Sequence, residues 1–89
     1  MPYKEDGRID ISKLNWKESI PYKIEEKIRT EYTPDEILDG FRQLPEYIGE
    51  SRNEYGALEL KFSDYEVSGK CNAFYNIASH WDELMNFYK

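Results

Sequence analysis

The chain holds one cysteine, Cys71, and one histidine, His80, so the first question is whether they could work together. A thiolate nucleophile needs a base within hydrogen-bond reach. If the C-terminal stretch is one continuous helix, the interval from Cys71 to His80 puts them about 180° apart around its axis, and no pair forms. If residues 71–78 instead return as a strand from a turn at Ser68-Gly69-Lys70, the two could approach, but no third group is evident to orient them. A structural zinc site wants about four Cys or His ligands in close pairs. His80 and Glu83 stand at helical spacing without a matching second pair.

No Gly-x-Gly-x-x-Gly or Gly-Lys-Ser/Thr run is present to cradle phosphate, and no aspartate-rich loop has calcium-binding spacing. Carboxylates are plentiful, so a two-carboxylate hydrolase is not excluded by residue type. Asp35, Glu36 and Asp39 fall within one helical turn, but the first two already serve a helix cap. A core this small also lacks a deep cleft for raising a carboxyl pKa by burial. These residues point to a protein that binds rather than catalyses, with neither metal nor cofactor.

What such a protein binds is suggested by where its charge lies. The net charge is −6. Residues 31–66 hold ten acids against Arg42, Arg52 and Lys61, whereas both flanks are near neutral. That segment repels nucleic-acid phosphate and anionic lipid and attracts basic protein surfaces. In the N-terminal third, Lys4, Arg8, Lys13, Lys17, Lys23, Lys27 and Arg29 interleave with Tyr3, Trp16 and Tyr22, a pattern that can bind single strands. Nearly every one has an acid close in sequence, so direct nucleic-acid binding is not expected.

Eight tyrosines and two tryptophans supply large contact area at small entropy cost. The reading is a small acidic, tyrosine-rich inhibitor of a basic, nucleic-acid-binding protein, as immunity proteins, nuclease inhibitors and phage anti-defence proteins are. Asp39, Glu46, Glu50, Glu54 and Glu59 would steer, and Tyr47 and Tyr55 would anchor. The alternative is a structural or assembly subunit that oligomerises through exposed aromatics.

One stretch adds to this. Leu44-Pro45-Glu46-Tyr47-Ile48-Gly49-Glu50 resembles a Leu-Pro-Glu-Tyr-Tyr-Gly-Glu run of the barstar family of ribonuclease inhibitors. In that family the first tyrosine helps contact the enzyme, which the resemblance maps onto Tyr47. The likeness stops there. The family's following helix and its decisive aspartates have no counterpart in Ser51-Arg52-Asn53-Glu54-Tyr55-Gly56-Ala57, so the fold is not carried over.

The elements that must position these residues form one domain over residues 9–89, after a loose tail at 1–8. Ile9-Asp10-Ile11 alternates as a short edge strand, and Trp16 folds onto the core. Ser19-Ile20-Pro21 opens a first helix with Ile20, Ile24, Ile28 and Tyr32 on one face. Thr33-Pro34-Asp35-Glu36 is a capping box for a second helix that buries Ile37, Leu38, Phe41 and Leu44 and ends by Leu44. Gly40 inside it suggests a close helix–helix approach.

Residues 45–55 read as a charged connection turning at Gly49. Leu58, Leu60 and Phe62 alternate as a half-buried strand, which Tyr65 and Val67 continue after a phase slip at Ser63-Asp64. A last helix over 74–88 carries the stripe Phe74, Ile77, Ala78, Trp81, Leu84, Met85 and Tyr88, with Asn72, Asn76, His80, Glu83 and Asn86 mostly opposite. Trp81 and Leu84, mid-stripe, are expected to hold the fold more than any polar residue. Ser79 also reads as an N-cap, which would start that helix later. The expected class is α+β, three helices packed on a small antiparallel sheet of two to three short strands. With no run of about eighteen apolar residues, no apolar leader region and one cysteine, a cytoplasmic protein is expected.

Overall fold

The computed structural model describes residues 7–87, the side chains of Asp82 and Met85 excepted. Helix α1 runs Tyr22–Glu31 behind Pro21, whose fixed φ suits a helix start. Glu25 and Arg29 pair across one turn at 3.5 Å. Helix α2, Pro34–Arg42, begins with the capping box read from the sequence. Glu36 N–H donates to Thr33 Oγ1 at 3.3 Å, and Thr33 N–H donates to Glu36 Oε1 at 3.1 Å. Pro34 takes the first helical position, where its missing N–H costs nothing.

Strands β1 (Tyr47–Arg52) and β2 (Leu58–Phe62) form one antiparallel hairpin, with Glu50 opposite Leu60 and Arg52 opposite Leu58. Helix α3 (Tyr65–Ser79) packs on β2 and α2, and a short α4 (Trp81–Phe87) follows. Three main helices and a two-stranded antiparallel sheet pack together, so the α+β class holds. No described helix is long and apolar enough to cross a membrane.

The core is built on three rings. Trp16, 3% exposed, meets Phe41 at 5.1 Å and Phe74 at 5.4 Å, and Phe41 meets Phe74 at 6.1 Å, all edge-on. Edge-to-face contacts suit the ring quadrupoles. The Trp16 indole N–H donates to the Ile11 carbonyl at 3.0 Å, so burial leaves no orphaned donor there. Ile9, Ile28, Ile37, Leu60 and Val67 fill the space around these rings.

Several expectations are corrected. Ile9-Asp10-Ile11 is not a strand. Ile9 makes an isolated bridge, and a 3-10 turn at Ile11–Lys13 follows, capped by the Asp10 carboxylate on Ser12 N–H at 3.1 Å. Gly40 does mark a close approach, but to that turn: a Cβ there would lie 2.9 Å from Ile11 Cβ. Gly49 is not the turn. It lies in β1 beside an irregularity in register, and the chain reverses at Asn53–Gly56, where Gly56 has φ +82°.

Tyr65 and Val67 do not extend a strand. Asp64 caps α3, accepting from Glu66 N–H at 2.9 Å, and the helix starts at Tyr65. The helix expected over 74–88 is therefore earlier and broken. Its buried face is Val67, Cys71, Phe74 and Ala78, and it stops at His80. Residues 71–78 are helical, not a returning strand. Asn72 is not on a polar back: its side chain clasps β2, accepting from Leu60 N–H at 3.0 Å and donating to the Leu60 carbonyl at 3.4 Å. Trp81 and Leu84 are only half-buried; Tyr88 lies outside the described residues. So do residues 1–6 of the expected tail, whereas Arg8 lies over the Tyr32 ring at 4.6 Å.

Candidate binding surface

The acids expected to steer a partner divide into two groups. Arg42, in the last turn of α2, gathers the first. Its Nε and one terminal nitrogen donate to Glu50 at 3.0 and 2.6 Å, and its other nitrogen donates to Asp39 at 2.7 Å. Tyr47 donates its hydroxyl to the same Glu50 carboxylate at 3.0 Å, while its ring sits edge-on to Phe62 at 5.7 Å. Arg42 and the Tyr47 hydroxyl hold the Glu50 carboxyl below its usual range, and burial together with Glu50 pushes the Tyr47 phenol up. Asp39, Tyr47 and Glu50 are thus brought together, but around a cation of the chain itself.

The second group faces solvent. Glu54 and Tyr55 sit in the hairpin turn, which Asn53 organises by accepting from Tyr55 N–H at 2.9 Å and Ala57 N–H at 3.0 Å. An asparagine side chain commonly imitates a turn in this way. Tyr55 is 86% exposed. Glu59 points outward from β2, opposite Ser51. Glu46 is half-buried ahead of β1; the Lys17 ammonium is held protonated chiefly by Asp64, to which the Glu46 charge adds a smaller push.

One exposed tyrosine at this surface lies outside the expected set. Tyr65, the first residue of α3, is 95% exposed, with exposed Glu66 beside it. Ser63-Asp64-Tyr65-Glu66 carries the signal that could have found it: an N-cap aspartate with an acid in the first turn. Reading those residues as a strand bulge placed Tyr65 among half-buried positions. Asp64 itself is held below the usual carboxylate range by Lys17, 3.1 Å away, and by the N–H groups it caps.

Cys71 and His80 do not meet as a catalytic pair. Cys71 is fully buried on the inner face of α3, where burial, with a smaller push from the Glu46 charge, raises its thiol to about 12. A thiol so shifted is inert at neutral pH. His80 is exposed where α3 ends, its Nδ1 3.7 Å from Glu83. Among the described residues, no three of His, Cys, Asp and Glu are grouped to hold a metal ion.

Compared with family models, curated proteins and solved structures, the chain matches none.

Proposed function

We propose that this chain is a non-enzymatic binding protein that neutralises a basic partner, such as a nuclease or another nucleic-acid-binding protein, by stoichiometric contact. The observation that carries this proposal is the pairing of exposed tyrosines with uncommitted acids. Tyr55 adjoins Glu54 and Tyr65 adjoins Glu66, and neither glutamate forms an ion pair among the described residues. Asp35, Glu46 and Glu59 are likewise free of ion pairs among those residues, so the segment keeps its negative field after internal pairing. Carboxylates raise the encounter rate with a cationic surface, and tyrosine rings supply the desolvated contact that slows departure.

The anchor set changes accordingly. Tyr47 is occupied by Glu50 and Phe62, so the anchors are Tyr55 and Tyr65, with Glu54, Glu59 and Glu66 steering. The single cysteine and the acidic surface suit a reducing cytoplasm, which is where we place its action.

The test is capture of the partner from the source cell, followed by binding of purified wild type, Tyr55→Ala and Tyr65→Ala. The expected results are a basic captured protein and a loss of about 2 kcal/mol or more for at least one tyrosine. The assembly-subunit alternative draws on exposed Tyr22 and Phe87. It predicts instead a concentration-dependent mass in sedimentation that hardly responds to salt.

A further inference from the structure

Arg29, near the end of α1, has a largely buried side chain whose guanidinium has few acceptors among the described residues. Its side chain is 6% exposed, and its acceptor among the described residues is Glu25 Oε2 at 3.5 Å. Its Nε is sealed from solvent and has no hydrogen-bond partner among those residues. The ring of Trp81 lies 4.2 Å from the guanidinium carbon and that of Phe74 lies 5.6 Å away. Rings satisfy the faces of a guanidinium, but its N–H groups radiate in the plane and want oxygen. An orphaned buried donor of this kind asks for an occupant.

Beside it a cleft of about 190 Å³ opens where the end of α1 and the start of α2 meet the junction of α3 and α4. Tyr32, Pro34, Ile37, Ala78 and Trp81 line it together with Arg29. Ser79 lines it too, so the walls mix polar and apolar surface, and the space is of the order of the roughly 150 Å³ that accepts one benzene-sized molecule. Among the described residues Arg29 is the one cation lining the cleft, and Glu25 already takes part of its charge, which disfavours a multiply charged phosphate. A carboxylate matches the planar fork of arginine and carries a single charge.

We infer that this cleft binds a small monocarboxylate with a compact apolar body about one ring in size. The carboxylate would sit on the Arg29 guanidinium and the body against Ile37, Ala78 and the Trp81 ring. Trp81, on the short helix that follows the break at His80, shifts to admit it. The site shares no residue with Tyr55, Tyr65 or the glutamates beside them, so it stands apart from the inhibitor surface.

The experiment titrates the full chain with sodium benzoate while the two indole N–H resonances are followed by NMR. The Trp81 signal moves saturably, and the Trp16 signal, hydrogen-bonded in the core, stays in place. Arg29→Gln weakens binding about tenfold or more, as loss of a charge-assisted pair should. Should that variant fail to fold, Ser79→Trp decides: Ser79 is exposed at the cleft, and an indole there blocks entry with Arg29 intact. The inference is overturned if Trp81 shows no saturable shift, or if Ser79→Trp binds benzoate as wild type does. Acetate or inorganic phosphate binding as tightly as benzoate overturns it too, because the apolar walls would then contribute nothing.

Discussion

Arg42 grips Glu50 through two N–H···O bonds of 3.0 and 2.6 Å, joining the last turn of α2 to strand β1. The two residues are eight apart in sequence and belong to elements of different type. Their union takes Glu50 out of the pool of acids that could greet a partner. Reversing its charge would disturb the fold before it disturbed any complex.

The clamp has a pH signature. Glu50 titrates below its ordinary value of 4.5 because Arg42 bonds its ionised form. A depressed folded pKa gives stability that is fully present above about pH 4.5 and lost as pH falls through the lower folded value. Glu50→Gln is expected to cost about 0.5–1 kcal/mol at pH 7, the upper range for a surface pair, because the contact is bidentate. Thermal melts of both proteins from pH 7 downward should show the gap closing below about pH 4.5. A gap that stays constant to acid denaturation would mean that Glu50 is not held by charge.

Of the two tryptophans, Trp16 bears the core. Trp16→Ala removes the hub between Phe41 and Phe74 and should cost about 3–5 kcal/mol. Trp81→Ala loses mainly a half-buried ring over Arg29 and should cost about 0.5–2 kcal/mol. Denaturant unfolding of the two variants measures the order directly. Equal losses would restore the sequence expectation that the last helix holds the fold.

Two glycines in helices should respond to alanine with opposite sign. Gly69 lies in α3, and a methyl group added there would meet nothing within 4 Å, so Gly69→Ala should stabilise by about 0.5–1 kcal/mol. Gly40→Ala gains the same propensity but pushes a methyl to 2.9 Å from Ile11 Cβ, an atom near the backbone that cannot swing aside. It should therefore destabilise. Melting temperatures of the two variants moving in the same direction would contradict the packing of α2 on the 3-10 turn.

Cys71 should be silent until the protein unfolds. Its burial and raised thiol predict negligible alkylation by iodoacetamide in buffer at about pH 8 and full alkylation in denaturant. Mass spectrometry of both samples is sufficient. Rapid labelling of the native chain would remove Cys71 from the core.

How much of this was legible depends on whether the signal was local. The Thr33 capping box, the alternation at Leu58–Phe62 and the end of α2 before Pro45 are each written in a few adjacent residues, and each stands in the structure. Strand β1 was not legible. Tyr47-Ile48-Gly49-Glu50-Ser51-Arg52 has no clean alternation, since its register slips between Tyr47 and Gly49 and Ile48 points to solvent. The start of α3 was misread because Tyr65–Lys70 contains Gly69 and few strong helix formers. Packing of Val67 and Cys71 on the core overrides that local preference. At the surface, sequence located the acidic segment, but the tertiary placement of Arg42, with Lys17 on Asp64 and Arg8 on Glu36, is what separates committed from free acids.

If the free acids and exposed tyrosines of residues 31–66 meet a basic partner, as proposed, charge must steer the association. Stopped-flow association of the purified chain with its captured partner, repeated at rising salt, tests it most directly. Glu54→Lys with Glu59→Lys serves as the comparison, because both side chains are exposed and neither enters the Arg42 clamp. Wild-type association is predicted to slow steeply with salt. The double variant is predicted to associate about tenfold more slowly at low salt with an unchanged melting temperature. An association rate indifferent to salt, and equal in the two proteins, would contradict the claim.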